Sequence, residues 1–149
     1  MPMIDVYCTE GTFGSTHAVA QQLATAVMEV EQVPDIAMFR KNTAAFVHEL
    51  PASAISNVDG ESNYVRVQVL TNAGALDQAK RNLLVDHITG IVVTASGDPS
   101  LGPRTWVQMI EAPDGGWGLY GHAQTNADLV DLARAEIAAG RRTHEHRHP

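Results

Sequence analysis

The sequence is short of cysteine, of lysine and of long apolar runs, and each shortage excludes a class of protein. One cysteine, Cys8, stands in 149 residues. A lone cysteine cannot build an internal disulfide framework or a thiolate-rich metal site. Lys41 and Lys80 are the only lysines, and ten bases stand against seventeen acids, a formal net charge of −7. No polybasic segment exists, which argues against a nucleic-acid partner and against docking on anionic lipid. No apolar run approaches the roughly 18 residues of a membrane span. The opening Met1-Pro2-Met3-Ile4-Asp5 carries an acid where a signal peptide carries bases. The chain reads as a cytoplasmic protein with no membrane association. Its 44% apolar and 18% charged residues suit one globular domain with a real core.

What is present repeats. Residues 3–9 (MIDVYCT) and 64–70 (YVRVQVL) alternate apolar and polar, the period of a half-buried strand. At a shift of 61 residues, Ile4, Val6 and Cys8 fall on Val65, Val67 and Val69. A glycine turn follows each, Gly11 to Gly14 in one half and Gly74 in the other. A helical pattern follows each turn. The first runs from Ser15 or Thr16 to Glu31, with Val19, Leu23, Val27 and Val30 on one face; the second runs over about 76–95. A second strand comes next, 44–50 in one half and 105–110 in the other. Each half is therefore a right-handed βαβ unit.

The predicted fold is α+β: two fused βαβ units forming a four-stranded mixed sheet with two helices on one face, plus a C-terminal helix over about 126–139. Residues 1–139 make one domain of two pseudo-repeats, about 2–60 and 63–122, and 140–149 a flexible tail. The uncovered sheet face carries Asp5, Tyr7, Arg66 and Gln68 with apolar residues of the outer strands. It must meet water or another subunit, and a small closed ring is the expected answer.

Several motifs tempt and weigh little. Gly116-Trp117-Gly118-Leu119-Tyr120-Gly121 spells G-x-G-x-x-G, but no further strand follows to carry the acid a dinucleotide site requires, and Trp117 and Tyr120 stand where the backbone should hug a pyrophosphate, so a glycine-rich hairpin or turn is expected. His144 to His148 formally contains H-E-x-x-H, yet it sits in a solvated tail, and no metal site is assigned. Cys8 lies at an apolar strand position and reads as core. His48-Glu49, near the end of the second strand, stands where βαβ units present ligand crevices. Arg40 and Arg104 precede the second strand of each half and are the best placed cations for an anionic substrate.

Pro2 carries the most information. Met-Pro is a substrate for initiator-methionine removal, which leaves a secondary amine at the start of a core strand. An α-amino group ordinarily titrates at about 7.7–8.0, with proline's higher. Burial lowers it and yields a general base near neutral pH.

With Pro2-Met3-Ile4-Asp5-Val6-Tyr7, Glu10-Gly11 and Trp106 to Gly121 on the page, the sequence resembles the tautomerase superfamily, whose members are βαβ proteins with an amino-terminal catalytic proline. The hairpin stretch is similar to 4-oxalocrotonate tautomerase, and the two-half layout to the fused subgroup that includes cis-3-chloroacrylic acid dehalogenase, over about residues 2–122. The resemblance implies a homotrimer, no cofactor, Pro2 as catalytic base and Trp117 lining the site. The family's arginines are absent: Thr12 follows Glu10-Gly11, Ala73 or Gly74 occupies the second turn, and Phe46 and Trp106 replace the strand arginine. Val27, Gln108 and Leu119 stand for the dehalogenase's histidine, tyrosine and glutamate, and Asn63 for a second proline.

The reading that follows is a tautomerase in which Pro2 moves a proton between carbon and oxygen of a small carbonyl or carboxylate compound. Arg40, His48 or Arg104 would steady the oxyanion, and Trp117 and Tyr120 would wall the pocket. Two alternatives remain: a hydratase or dehalogenase of a small unsaturated acid, and a non-catalytic trimeric binding protein.

Overall fold

A computed structural model describes residues 1–145. Four strands form one sheet in the order β2-β1-β3-β4: β1 (Met3–Thr9), β2 (Ala44–Leu50), β3 (Val65–Asn72) and β4 (Thr105–Ala112). β1 runs parallel to β2, β3 parallel to β4, and β1 antiparallel to β3. The crossovers are α1 (Thr16–Glu31) and α3 (Gln78–Ser96), so the doubled βαβ sheet read from the sequence is the fold. Val6 lies opposite Val67, its own equivalent in the other half. The pseudo-twofold axis therefore passes through that pair.

Local chemistry sets the helix limits. Ser15 caps α1 by accepting from the Ala18 N–H at 3.2 Å, and Asp77 caps α3 by accepting from the Lys80 N–H at 2.8 Å. Gly97 closes α3 at φ 66°, a left-handed conformation glycine enters without steric cost. Between sheet and helices lies one core. Ile4, Val6, Cys8, Val65, Val67 and Val69 from the sheet meet Val19, Leu23, Val27, Leu84, Ile88 and Val92 from the helices. Cys8 is thus core, as its strand position implied.

A short helix and a longer last helix add to the sequence reading, and the expected glycine-rich hairpin is present. A short helix, α2 (Ala37–Lys41), precedes β2; five residues are too few to leave a periodic signal. The stretch 117–124 forms the hairpin β5 (Trp117–Leu119) and β6 (His122–Gln124). Its two-residue loop, Tyr120 at φ 56° and Gly121 at φ 73°, has both central residues left-handed, as the natural twist of a tight hairpin demands. The last helix, α4, spans Asn126–Glu145 and so runs past the expected end at 139. Ala138, Ala139, Arg141 and Arg142 are good helix formers, and Gly140 between them costs only about 1 kcal/mol. His146 and His148 of the histidine-rich tail lie outside the described residues.

α4 begins with a reciprocal cap. The Asp128 N–H donates to Thr125 Oγ1 at 3.0 Å, and the Thr125 N–H donates to Asp128 Oδ2 at 2.9 Å. Leu129, Leu132 and Ala133 then pack into a second apolar cluster with Met1, Met38, Phe39 and Trp117. Glu136 pins the contact by accepting from the Met38 N–H at 3.1 Å, an acid at the N-terminus of α2 where no side chain of α2 itself caps. No helix among the described residues is long and apolar enough to cross a membrane.

Candidate active site at the amino terminus

The chain's first residues are among its most buried. Pro2 is fully buried, and its carbonyl accepts from the Ala44 N–H at 3.3 Å, which extends the β1–β2 ladder by one residue. Met1 is 3% exposed. Its peptide bond to Pro2 makes the Pro2 nitrogen an amide in this structure.

The terminal amine enters a cavity of about 440 Å³. Glu31, Asn72, Phe39, Asn126 and Leu129 are among its walls. The amine donates to Asn72 Oδ1 at 3.2 Å and lies 3.7 Å from Glu31 Oε2. Glu31 Oε1 is buried with no hydrogen-bond partner. Burial pushes the amine below its ordinary 8.0, against the pull of Glu31. Burial pushes the Glu31 carboxyl above its ordinary 4.5, against the amine and, more weakly, Lys80. Both shifts favour the uncharged forms, as desolvation requires.

The topology explains the position. β3 runs opposite to β1, so the C-terminal end of β3, at Asn72, meets the N-terminal end of β1. α1 returns to the same end and delivers Glu31 from its last turn. α4 closes the side: Asn126 Nδ2 donates to the Ala73 carbonyl at 3.1 Å, and Leu129 and Ala133 lie along the wall. Arg134 is the one basic side chain among the described residues of the lining.

The sequence-predicted residues divide. Trp117 is 7% exposed and packs in the cluster that holds Met1, beside the site. Tyr120 is 69% exposed at the hairpin tip. Arg40 pairs with Asp35 at 2.6 Å on the surface and borders a groove along α1 rather than the amino-terminal cavity. Arg104 precedes β4, at the end of the sheet opposite Asn72.

His48 lies on the uncovered face of the sheet, because it alternates with Val47 and sits opposite Tyr7. There its Nε2 is 2.7 Å from Asp5 Oδ1, its ring stacks on Tyr7 at 4.5 Å, and the Arg66 guanidinium covers the Tyr7 ring at 4.6 Å. Tyr64 stacks on Trp106 at 4.4 Å nearby.

Glu31 and Asn72 are functional candidates the sequence reading passed over. Glu31 had a signal: it follows Val27 by four positions, so it continues the apolar stripe of α1, where a carboxylate is rarely buried. Among the described residues no group of three His, Cys, Asp or Glu side chains could hold a metal ion.

No family model matches the chain, and no curated protein matches its sequence. Solved structures do match. Pt0534, inactivated by 2-oxo-3-pentynoate, aligns with a TM-score of 0.69 at 18% identity, over 85% of this chain and 98% of its own. A member of the cis-3-chloroacrylic acid dehalogenase family, N1, aligns at 0.70 with 20% identity, over 88% and 90%. A fused 4-OT, solved as an asymmetric trimer, aligns at 0.67 with 19% identity, over 86% and 98%. The chain has the fold of the tautomerase superfamily in its fused form. In this fold the amino-terminal cavity is built from both halves: Met1, the end of α1 and Phe39 of α2 from the first, the end of β3 from the second, with α4 as the added wall.

Proposed function

We propose that this chain is a proton-transfer enzyme in which Pro2, freed by removal of Met1, is the general base for keto–enol isomerisation of a small carbonyl compound. One observation carries the reading: Pro2 is fully buried next to the Met1 amine, at a cavity wall where burial disfavours the protonated form of that amine. A terminal amine in open water would stay largely protonated at neutral pH. Burial holds the lone pair available, as a base acting on a carbon acid needs. Trp117 and the α4 leucines keep the surroundings apolar, and Asn72 offers an amide to orient a bound carbonyl compound. The likeness to fused 4-OT structures supports the same reading.

The working unit we propose is a homotrimer closed over the uncovered sheet face. That face exposes Phe46 at 52%, Trp106 at 44% and Ile110 at 49%, too much apolar surface on one side of a small chain to leave in water. The Asp5–His48 and Arg66–Tyr7 contacts, on the same face, would then lie inside the ring.

Intact mass and turnover test the reading together. The purified chain is expected to lack Met1 and to convert phenylpyruvate enol to its keto form. Replacing Pro2→Ala is expected to lower that rate by about 10²-fold or more. Retention of Met1, or equal rates for both proteins, removes Pro2 from the chemistry.

A further inference from the structure

We propose that Glu31 is the general acid that works opposite Pro2, giving its proton to the carbonyl oxygen while Pro2 takes one from the adjacent carbon. This rests on the reading of Pro2 as base. It assigns the second half of the proton transfer, for which Arg40, His48 and Arg104 are not at the cavity.

Geometry leads to Glu31. Its carboxyl is 3% exposed, faces the cavity wall, and has one oxygen with no partner. A carboxyl so placed is costly unless something answers it. With Met1 present, the terminal amine answers it at 3.7 Å. Removing Met1 moves the terminus back by one residue, about 3.3–3.6 Å. The carboxyl and the Pro2 amine are then at most about 7 Å apart, with the volume of a methionine opened between them. A carbon acid fits that gap. The base approaches the carbon at about 3 Å, the carbon and carbonyl oxygen are about 2.4 Å apart, and the acid reaches the oxygen at about 2.7 Å along a bent path.

The step balances. The Pro2 lone pair takes the α-proton, the C–H electrons form the C=C bond, and the C=O π pair moves to oxygen, which takes the Glu31 proton. The site is left with a Pro2 ammonium and a Glu31 carboxylate. The ammonium returns its proton to the carboxylate once the enol leaves. Ketonisation runs the same steps backward.

The test uses the full chain without Met1, confirmed by intact mass, with phenylpyruvate as the probe. Glu31→Gln keeps the shape and removes the acid. It is expected to lower kcat by about 10²–10⁴-fold. In the ketonisation direction it should also erase the limb of the pH–rate profile in which activity falls as the Glu31 carboxylate takes up a proton. A Glu31→Gln protein within twofold of the parent rate, with the parent's pH profile, overturns the assignment. If Pro2→Ala still abolishes turnover, that result leaves the Pro2 reading intact. If both variants keep the parent rate, the Pro2 reading falls as well. Should Glu31→Gln fail to fold, Glu31→Asp decides: the retracted carboxyl is expected to lower kcat at least tenfold and shift the same limb. An unchanged rate and profile overturn the proposal.

Discussion

Replacing Trp106→Asp tests the proposed trimer face quantitatively. Trp106 stands on β4, in line with Arg66 of β3, and is 44% exposed in the single chain. A large aromatic side chain presents about 150–250 Å². The exposed share of the indole is therefore about 100 Å², available to a neighbouring subunit. At about 25 cal/mol per Å², covering it contributes about 2.5 kcal/mol per copy. A ring has three copies, so the assembly loses about 7 kcal/mol, or about 10⁵ in its association constant. The buried carboxylate that replaces the indole adds further cost. Light scattering after size exclusion at micromolar concentration reads the result. The parent is expected at three times the chain mass of 16.0 kDa, and the variant as monomer with an unchanged far-UV spectrum. Two outcomes refute the reasoning: a parent that runs as monomer, or a Trp106→Asp protein that stays trimeric because its subunits meet elsewhere.

Trp117→Ala removes the centre of the cluster that holds Met1 and α4. It is expected to cost about 3–5 kcal/mol, which lowers Tm by about 6–20 °C in calorimetry. The Cys8 thiol is pushed up to about 11 by burial, so native protein at pH 8 should resist thiol reagents and react only with denaturant. Labelling of native chain at the rate of free cysteine contradicts its placement in the core. In chain that keeps Met1, Glu31 binds its proton more tightly folded than unfolded. Stability should therefore fall as pH rises from 4.5 through its raised pKa. It should recover as pH rises through the lowered amine pKa toward 8.0. Denaturant titrations across pH 4 to 9 read both slopes, and Glu31→Gln must lose the first.

The sheet and both crossover helices were legible because their signals are periodic and doubled. Alternation placed Ile4, Val6 and Cys8 inward, and the repeat supplied an independent copy at Val65, Val67 and Val69. Ser15 marked where α1 starts, while α3 starts at Gln78 behind an Asp77 cap, two residues after the expected 76. Of the candidate site, the sequence pointed to the amino-terminal end of β1 at Pro2 and to Trp117 in the cluster beside it. Asn72 and Glu31 meet Met1 through tertiary approach of three elements, which no local pattern encodes. His48 was read toward a crevice at the C-terminal end of β2. The cavity instead lies at the C-terminal end of β3, and the two are at opposite ends because the halves pack head to tail. Arg40 and Arg104 illustrate the same limit: their position before a strand is visible in the sequence, the direction they face is not.

The helix that walls the cavity is made after both βαβ halves. Until residues 126–145 leave the ribosome and dock, Met1 lacks the side of its pocket that Leu129 and Ala133 supply. An aminopeptidase that trims Met1 would thus have to act in that interval, while the first residue is still within reach. Afterwards the bond it must cut is sealed inside the folded domain. On the reading of Pro2 as base, its unmasking becomes a matter of timing during translation, decided by which arrives first at the amino terminus, the trimming enzyme or α4.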